Sequence, residues 1–154
     1  MQCTIYTLEE KKRLTGKGGL LVLARWKGGL ILERDEINAL WRLPQGGLQR
    51  GEDPLEAARR ALGKAIGEAV FDVTPLCGYS LIDEAGKEQG GTAYLADVSQ
   101  WTPEEGCGAQ SFDRMPLSSQ VYRPVLVFGL HKWAGVFFDE RLDLEKLGEP
   151  GIGA

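Results

Sequence analysis

The chain has 154 residues, 43% of them hydrophobic and 26% charged, which suits one globular domain with its own core. Its formal net charge of −4 excludes the broad basic surface that general nucleic-acid binding or attachment to an anionic membrane requires. The apolar runs, such as Leu20 to Ala24, are far too short to span a bilayer, and no N-terminal stretch has the layout of a signal peptide.

Gln2 to Thr7 alternates enough for a first strand. Leu8 to Thr15 is charged and reads as a loop or a short helical turn. Gly19 to Trp26 and Gly29 to Arg34 are apolar runs around Lys27-Gly28, which predicts strand, turn, strand. Trp41 to Pro44 reads as a short strand that ends where Pro44 has no N–H to donate. The 21 glycines include the pairs Gly18-Gly19, Gly28-Gly29, Gly46-Gly47 and Gly90-Gly91, each of which predicts a tight turn. A helix is predicted from Asp53 to Ile66, with Leu55, Ala58, Leu62, Ile66 and Ala69 as its apolar stripe. Asp53 suits the N-cap, Pro54 the first helical residue, and Gly67 the left-handed position past the end. Gly63 weakens this helix by about 1 kcal/mol relative to alanine.

Two longer strands follow, Phe71 to Asp83 and Thr92 to Val98, separated by the turn Glu84 to Lys87 and by Gly90-Gly91. Trp101 to Met115 reads as a polar loop. Leu117 to Leu147 carries a second helical pattern in two pieces, since Pro124 is tolerated only near a helix start or a break. The element order predicts an α/β fold, a mixed sheet with helices on both faces. A single domain is expected over residues 1–147, with a flexible tail over 148–154. Cys3, Cys77 and Cys107 are odd in number and form no CxxC pair, which predicts reduced thiols in a cytoplasmic protein. His131 alone cannot supply a histidine-based metal cluster.

The most informative stretch is Leu40 to Gly67, LWRLPQGGLQRGEDPLEAARRALGKAIG. Gln45-Gly46-Gly47 before a helix lets backbone approach a ligand, and N–H groups in such turns can hold phosphate oxygens. Turn geometry alone also explains the pair. Gly46, Glu52, Arg60, Leu62 and Gly67 fall without a gap on the fixed positions of a Nudix box. That box has a glycine, five residues, a glutamate, seven residues, Arg-Glu, an aliphatic, one residue, Glu-Glu, one residue and glycine. Trp41 and Pro44-Gln45-Gly46-Gly47 resemble the branch containing dinucleoside polyphosphate hydrolases and RNA pyrophosphohydrolases. The resemblance implies a Nudix α/β/α sandwich and, for the family, a pyrophosphohydrolase using Mg²⁺ or Mn²⁺.

The box departs from the family where its metal-binding glutamates stand: those positions are Ala61, Lys64 and Ala65. Such glutamates share one helical face and hold hard cations through oxygen. Alanine has no ligand atom, and an ammonium repels a cation, so no metal or other cofactor is expected on this face. No catalytic residue is assigned. Lys64 is either a solvated surface lysine or a tethered cation that pairs with a ligand phosphate. The expected ligand contacts are Arg42, Gln45, Gly46, Gly47 and Lys64. Glu52, Arg60 and Gly67 are expected to be structural, and Glu56 to Arg60 is a plausible i,i+4 pair. Glu68, Glu104 and Glu105, with Asp113, are weak candidates for a relocated metal site. Arg25, Lys27 and Arg34 flank the cleft in sequence, and Trp41 suits either a base stack or a core edge. The Gly16 to Gly19 run lacks the ending of a phosphate loop.

Three functions follow. The first is a Nudix-fold protein binding a nucleotide or other phosphorylated small molecule with little or no hydrolysis. The second is an active pyrophosphohydrolase on a nucleoside diphosphate derivative, with relocated Mg²⁺ or Mn²⁺ ligands. The third is a non-catalytic interaction or assembly protein, such as a homodimer built on the Val125 to Phe138 segment, although that segment reads more readily as an ordinary core helix. None of the three involves a membrane or general nucleic-acid binding.

Overall fold

The structure is a computed structural model that describes residues 2–8, 19–103, 108–122, 124–126 and 129. The strands are β1 (Gln2–Tyr6), β2 (Gly19–Trp26), β3 (Gly29–Arg34), β4 (Trp41–Arg42), β5 (Gln45–Gly47), β6 (Ala69–Ile82), β7 (Glu88–Trp101) and β8 (Ala109–Phe112). One helix, α1 (Pro54–Ile66), lies between β5 and β6. The strands form one mixed sheet in the order β1-β6-β7-β2-β3-β4, with β5 added to β2 and β8 to β3. β2 runs parallel to β7; β6 and β7 form a long antiparallel hairpin.

The β2–β3 hairpin has the boundaries its sequence predicts. Lys27 and Gly28 both have positive φ, 43° and 84°, the turn whose twist matches that of the strands it joins. The β6–β7 turn is held by Asp83, whose Oδ1 accepts from the Ala85 and Lys87 N–H groups at 2.9 and 2.8 Å.

Two other glycine pairs are not turns. Gly46 and Gly47 are extended in β5, opposite Leu20 and Gly19 of β2. The short strand predicted to end at Pro44 therefore stops at Arg42, and pairing resumes beyond the proline. Gly90 and Gly91 lie inside β7. A Cβ at Gly91 would strike the Tyr79 ring and come within 2.6 Å of the Gly19 carbonyl oxygen, so close packing rather than chain reversal requires glycine there.

The predicted Trp101–Met115 loop is also interrupted. Trp101 ends β7, and Ala109–Phe112 forms β8 against β3. Buried Trp101 donates its indole Nε1–H to the Ile66 carbonyl at 2.9 Å, satisfying one of the orphan acceptors at the end of α1.

Alternating β2 and β3 residues feed two cores, as a pleated strand covered on both faces demands. Leu20, Val22, Ala24 and Ile31 pack under α1 with Ala57, Ala58, Ala61, Leu62, Ala65 and Ile66. Leu21, Leu23, Leu30 and Leu32 pack on the opposite face with Val121, Val125 and Leu126. Positions 124–126 are helical; most of the second helical pattern, the tail over 148–154, and most of the charged Leu8–Thr15 run lie outside the described residues. Ala69 belongs to β6 rather than to the helical stripe, which instead takes in Ala57, Ala61 and Ala65. Their methyl side chains let α1 sit close to β5, where a Cβ on Gly46 would lie 3.6 Å from that of Ala61. No helix among the described residues is long and apolar enough to cross a membrane.

Candidate functional site

The site is built by the connection from β5 into α1. Asp53 caps the helix, its carboxylate accepting from the Glu56 N–H at 3.3 Å, and Pro54 opens it. Gly67 closes it with φ 79° and ψ −147°, a region essentially reserved for glycine. Arg60 then ties helix, loop and strand together. Its Nε and Nη2 each donate to a Glu52 oxygen at 2.9 Å, and Nη2 also donates to the Gly47 carbonyl at 2.8 Å. Glu52 accepts in addition from the Gln49 N–H at 3.0 Å. The Arg60 guanidinium, then that backbone N–H, hold the Glu52 carboxyl below the ordinary glutamate range. This two-pronged pair fixes the loop geometrically. The Glu56–Arg60 pair does not form; Glu56 pairs with Arg59 one turn on.

Beside this connection lies a cleft of about 460 Å³, walled by Ala61, Lys64 and Ala65 of α1 and by Glu33, Arg34, Asp35, Arg42 and Gln45 across from them. Ala61 and Ala65 are 5% and 8% exposed; Lys64 and Arg34 are exposed. Arg42 is held between two acids, Nη1 2.8 Å from Asp35 and Nε 3.6 Å from Glu33. Its Nε is buried without a hydrogen bond. Glu33 accepts from the Gln45 N–H at 3.0 Å. Burial raises the Glu33 carboxyl above its ordinary range, opposed by Arg42, the Gln45 N–H and the charge of Lys64. Asp35 also braces its own turn by accepting from the Ile37 N–H at 2.8 Å.

No family model matches the chain. Over 75 residues it is 39% identical to an RNA pyrophosphohydrolase of Brucella anthropi, a match covering 44% of this chain and 38% of that relative. The chain thus spans well under half the length of the curated relatives it matches. The crystal structure of a Bacillus subtilis pyrophosphohydrolase variant superposes with TM-score 0.60 at 20% identity, covering 95% of this chain and 91% of that one. A MutT/nudix family protein from Enterococcus faecalis gives 0.50 at 14% identity, over 65% and 45% of the two chains. The chain has the fold of the Nudix hydrolases. At these identities the structural likeness establishes the fold, and the sequence likeness to RNA pyrophosphohydrolases covers less than half of either chain.

Nudix hydrolases use Mg²⁺ or Mn²⁺, which require oxygen donors. The wall where the box would supply them offers two methyl groups and an ammonium. The facing carboxylates of Glu33 and Asp35 are engaged by Arg42, so the donor set here does not fit such an ion. Among the described residues, no cluster of three or more His, Cys, Asp or Glu side chains is placed to hold a metal. Glu68 lies past the end of α1 and faces a separate groove with Gln100 and Trp101. Asp113 is exposed beyond β8, and Glu104 and Glu105 lie outside the described residues.

The Nudix cleft thus gathers Arg42, Gln45 and Lys64 from the sequence-predicted contacts. Gly46 lines a neighbouring cavity of about 320 Å³ that shares Arg42 and Gln45 with the cleft. Gly47 serves Arg60 through its carbonyl. Arg25 pairs with Asp97, and Lys27 lies 4.8 Å over the Trp26 ring; neither lines the cleft. Trp41 packs edge-on against Phe112, centroids 4.9 Å apart. Glu33 and Asp35 were missed by sequence reasoning. Their alternate spacing at the end of β3 was a signal, hidden in the charged run Glu33 to Glu36.

Proposed function

We propose that this Nudix-fold chain binds a nucleotide or another phosphorylated ligand in the cleft beside α1, without a divalent metal and with little or no hydrolysis. The observation that carries the reading is the composition of the helical wall. Lys64 faces the cleft between Ala61 and Ala65, while the opposing carboxylates are tied to Arg42. An ammonium attracts phosphate as a point charge, and Arg34 lines the same cavity. Unlike a divalent cation, it cannot bring the pKa of a bound water near neutrality, so the pyrophosphate bond is held but not attacked.

Calorimetric titration of nucleoside triphosphates, once in EDTA and once in Mg²⁺, tests this. Binding is expected in both, and Lys64→Ala is expected to weaken it about tenfold, the scale of one lost charge contact at a partly solvated site. Binding only in Mg²⁺, or binding indifferent to Lys64→Ala, would overturn the reading.

The names of the curated relatives favour a second reading, an active pyrophosphohydrolase with metal ligands elsewhere. Phosphate release from triphosphorylated RNA and free nucleotides, with Mg²⁺ and Mn²⁺, separates the two. Metal-dependent turnover lost on replacing Glu68, Glu104 or Glu105 supports the second.

A further inference from the structure

Glu33 is a half-buried acid inside a cavity that also presents Lys64 and Arg34. Charged and polar groups from several elements set its state. Arg42 of β4 approaches with Nε 3.6 Å from Oε1. The Gln45 N–H of β5 donates to that same oxygen at 3.0 Å. Lys64 of α1 acts on it across the cleft. From the turn after β3, Asp35 competes for Arg42 at 2.8 Å, and Glu36 lines the same cavity. β8, which sets Ala109 opposite Glu33, brings no titratable side chain.

An anion drawn to Lys64 therefore meets an ionised carboxylate in the same small space. Either the anion stays out or the carboxylate is neutralised. Resting on the reading of the cleft as a metal-free phosphate site, we propose that Glu33 couples phosphate binding to proton uptake, so that the cleft holds phosphorylated ligands more tightly as pH falls. One proton passes from solvent to the Glu33 carboxylate on binding and returns on release; no bond of the ligand is made or broken. Protonation removes the acid that competes for Lys64 and Arg42, and it converts an acceptor into an O–H donor able to reach a phosphate oxygen. The carboxyl is already held above its ordinary range by burial, which brings the step closer to neutral pH.

The probe is inorganic tripolyphosphate, titrated in EDTA into the unsubstituted protein and into Glu33→Gln from about pH 5 to about pH 8, a range spanning a raised glutamate. The ligand's own titration is common to both proteins and cancels in the ratio of their affinities. Glu33→Gln is expected to bind about tenfold tighter at the upper end, as removal of one nearby charge implies, with the ratio falling towards one at the lower end. A ratio constant across the range overturns the coupling and leaves phosphate binding intact. Failure of both proteins to bind at any pH overturns the phosphate site and the coupling together. Because the substitution also alters contacts with Arg42 and Gln45, carbon NMR of the Glu33 carboxyl in the unsubstituted protein supplies a second readout. Its midpoint should rise when tripolyphosphate saturates the cleft; an unmoved midpoint contradicts the proposal.

Discussion

Helix α1 presents two very different working surfaces. Towards β5 and the preceding loop, Arg60 grips Glu52 and the Gly47 carbonyl, and the box residues there match the family pattern. Towards the cleft, one residue further along, Ala61, Lys64 and Ala65 stand where the family places carboxylates. The first surface needs two planar charged groups in register. The second needs only small side chains that let the helix approach β5, with a cation beyond them. A helix can therefore keep its seat on the sheet while the chemistry of its open side changes, because the two jobs fall to different side chains.

The largest expected effect breaks the seat itself. Leu62 is fully buried beneath α1, and Leu62→Ala should cost about 2–5 kcal/mol of stability through lost burial and a residual cavity, read by urea denaturation. Lys64→Ala should do the opposite, changing stability by no more than about 0.5 kcal/mol, as exposed substitutions generally do, while weakening nucleotide binding. A variant that loses both together would erase the separation between the surfaces.

The Glu52–Arg60 pair sharpens the comparison through pH. A carboxyl held low in the folded state adds stability above its unfolded range, and that stability is lost as pH falls through its lowered folded value. Glu52→Gln should therefore lower the melting temperature at neutral pH and lessen its decline in acid, with Arg60→Ala giving a similar profile. The smallest effect is a gain. A Cβ on Gly63 would meet nothing within 4 Å, so Gly63→Ala should stabilise by about 0.5–1 kcal/mol through helix propensity, without altering ligand affinity.

The cap, proline start and glycine stop of α1 were legible because each acts through neighbours a few residues away. So were β2, β3 and the turn between them. Gly46, Gly47, Gly90 and Gly91 were misread because their reason is long-range: strand pairing across to β2 for the first pair, and the Tyr79 ring lying on Gly91 for the second. β8 was hidden because its four residues, AQSF, carry little pattern until β3 pairs with them. In the site, Lys64 could be placed from the box alone. Glu33 could not, since only folding brings the end of β3 opposite α1 and gives that carboxylate its neighbours.

The central claim concerns the cleft-facing side of α1, and manganese titration followed by backbone amide NMR tests it most directly. Mn²⁺ without nucleotide is expected to leave the Ala61, Lys64 and Ala65 amide signals no more broadened than those of the rest of the helix, and Mn²⁺ added to the nucleotide complex to cleave no diphosphate bond. Selective loss of those signals at low Mn²⁺, accompanied by cleavage of the diphosphate bond, would contradict it.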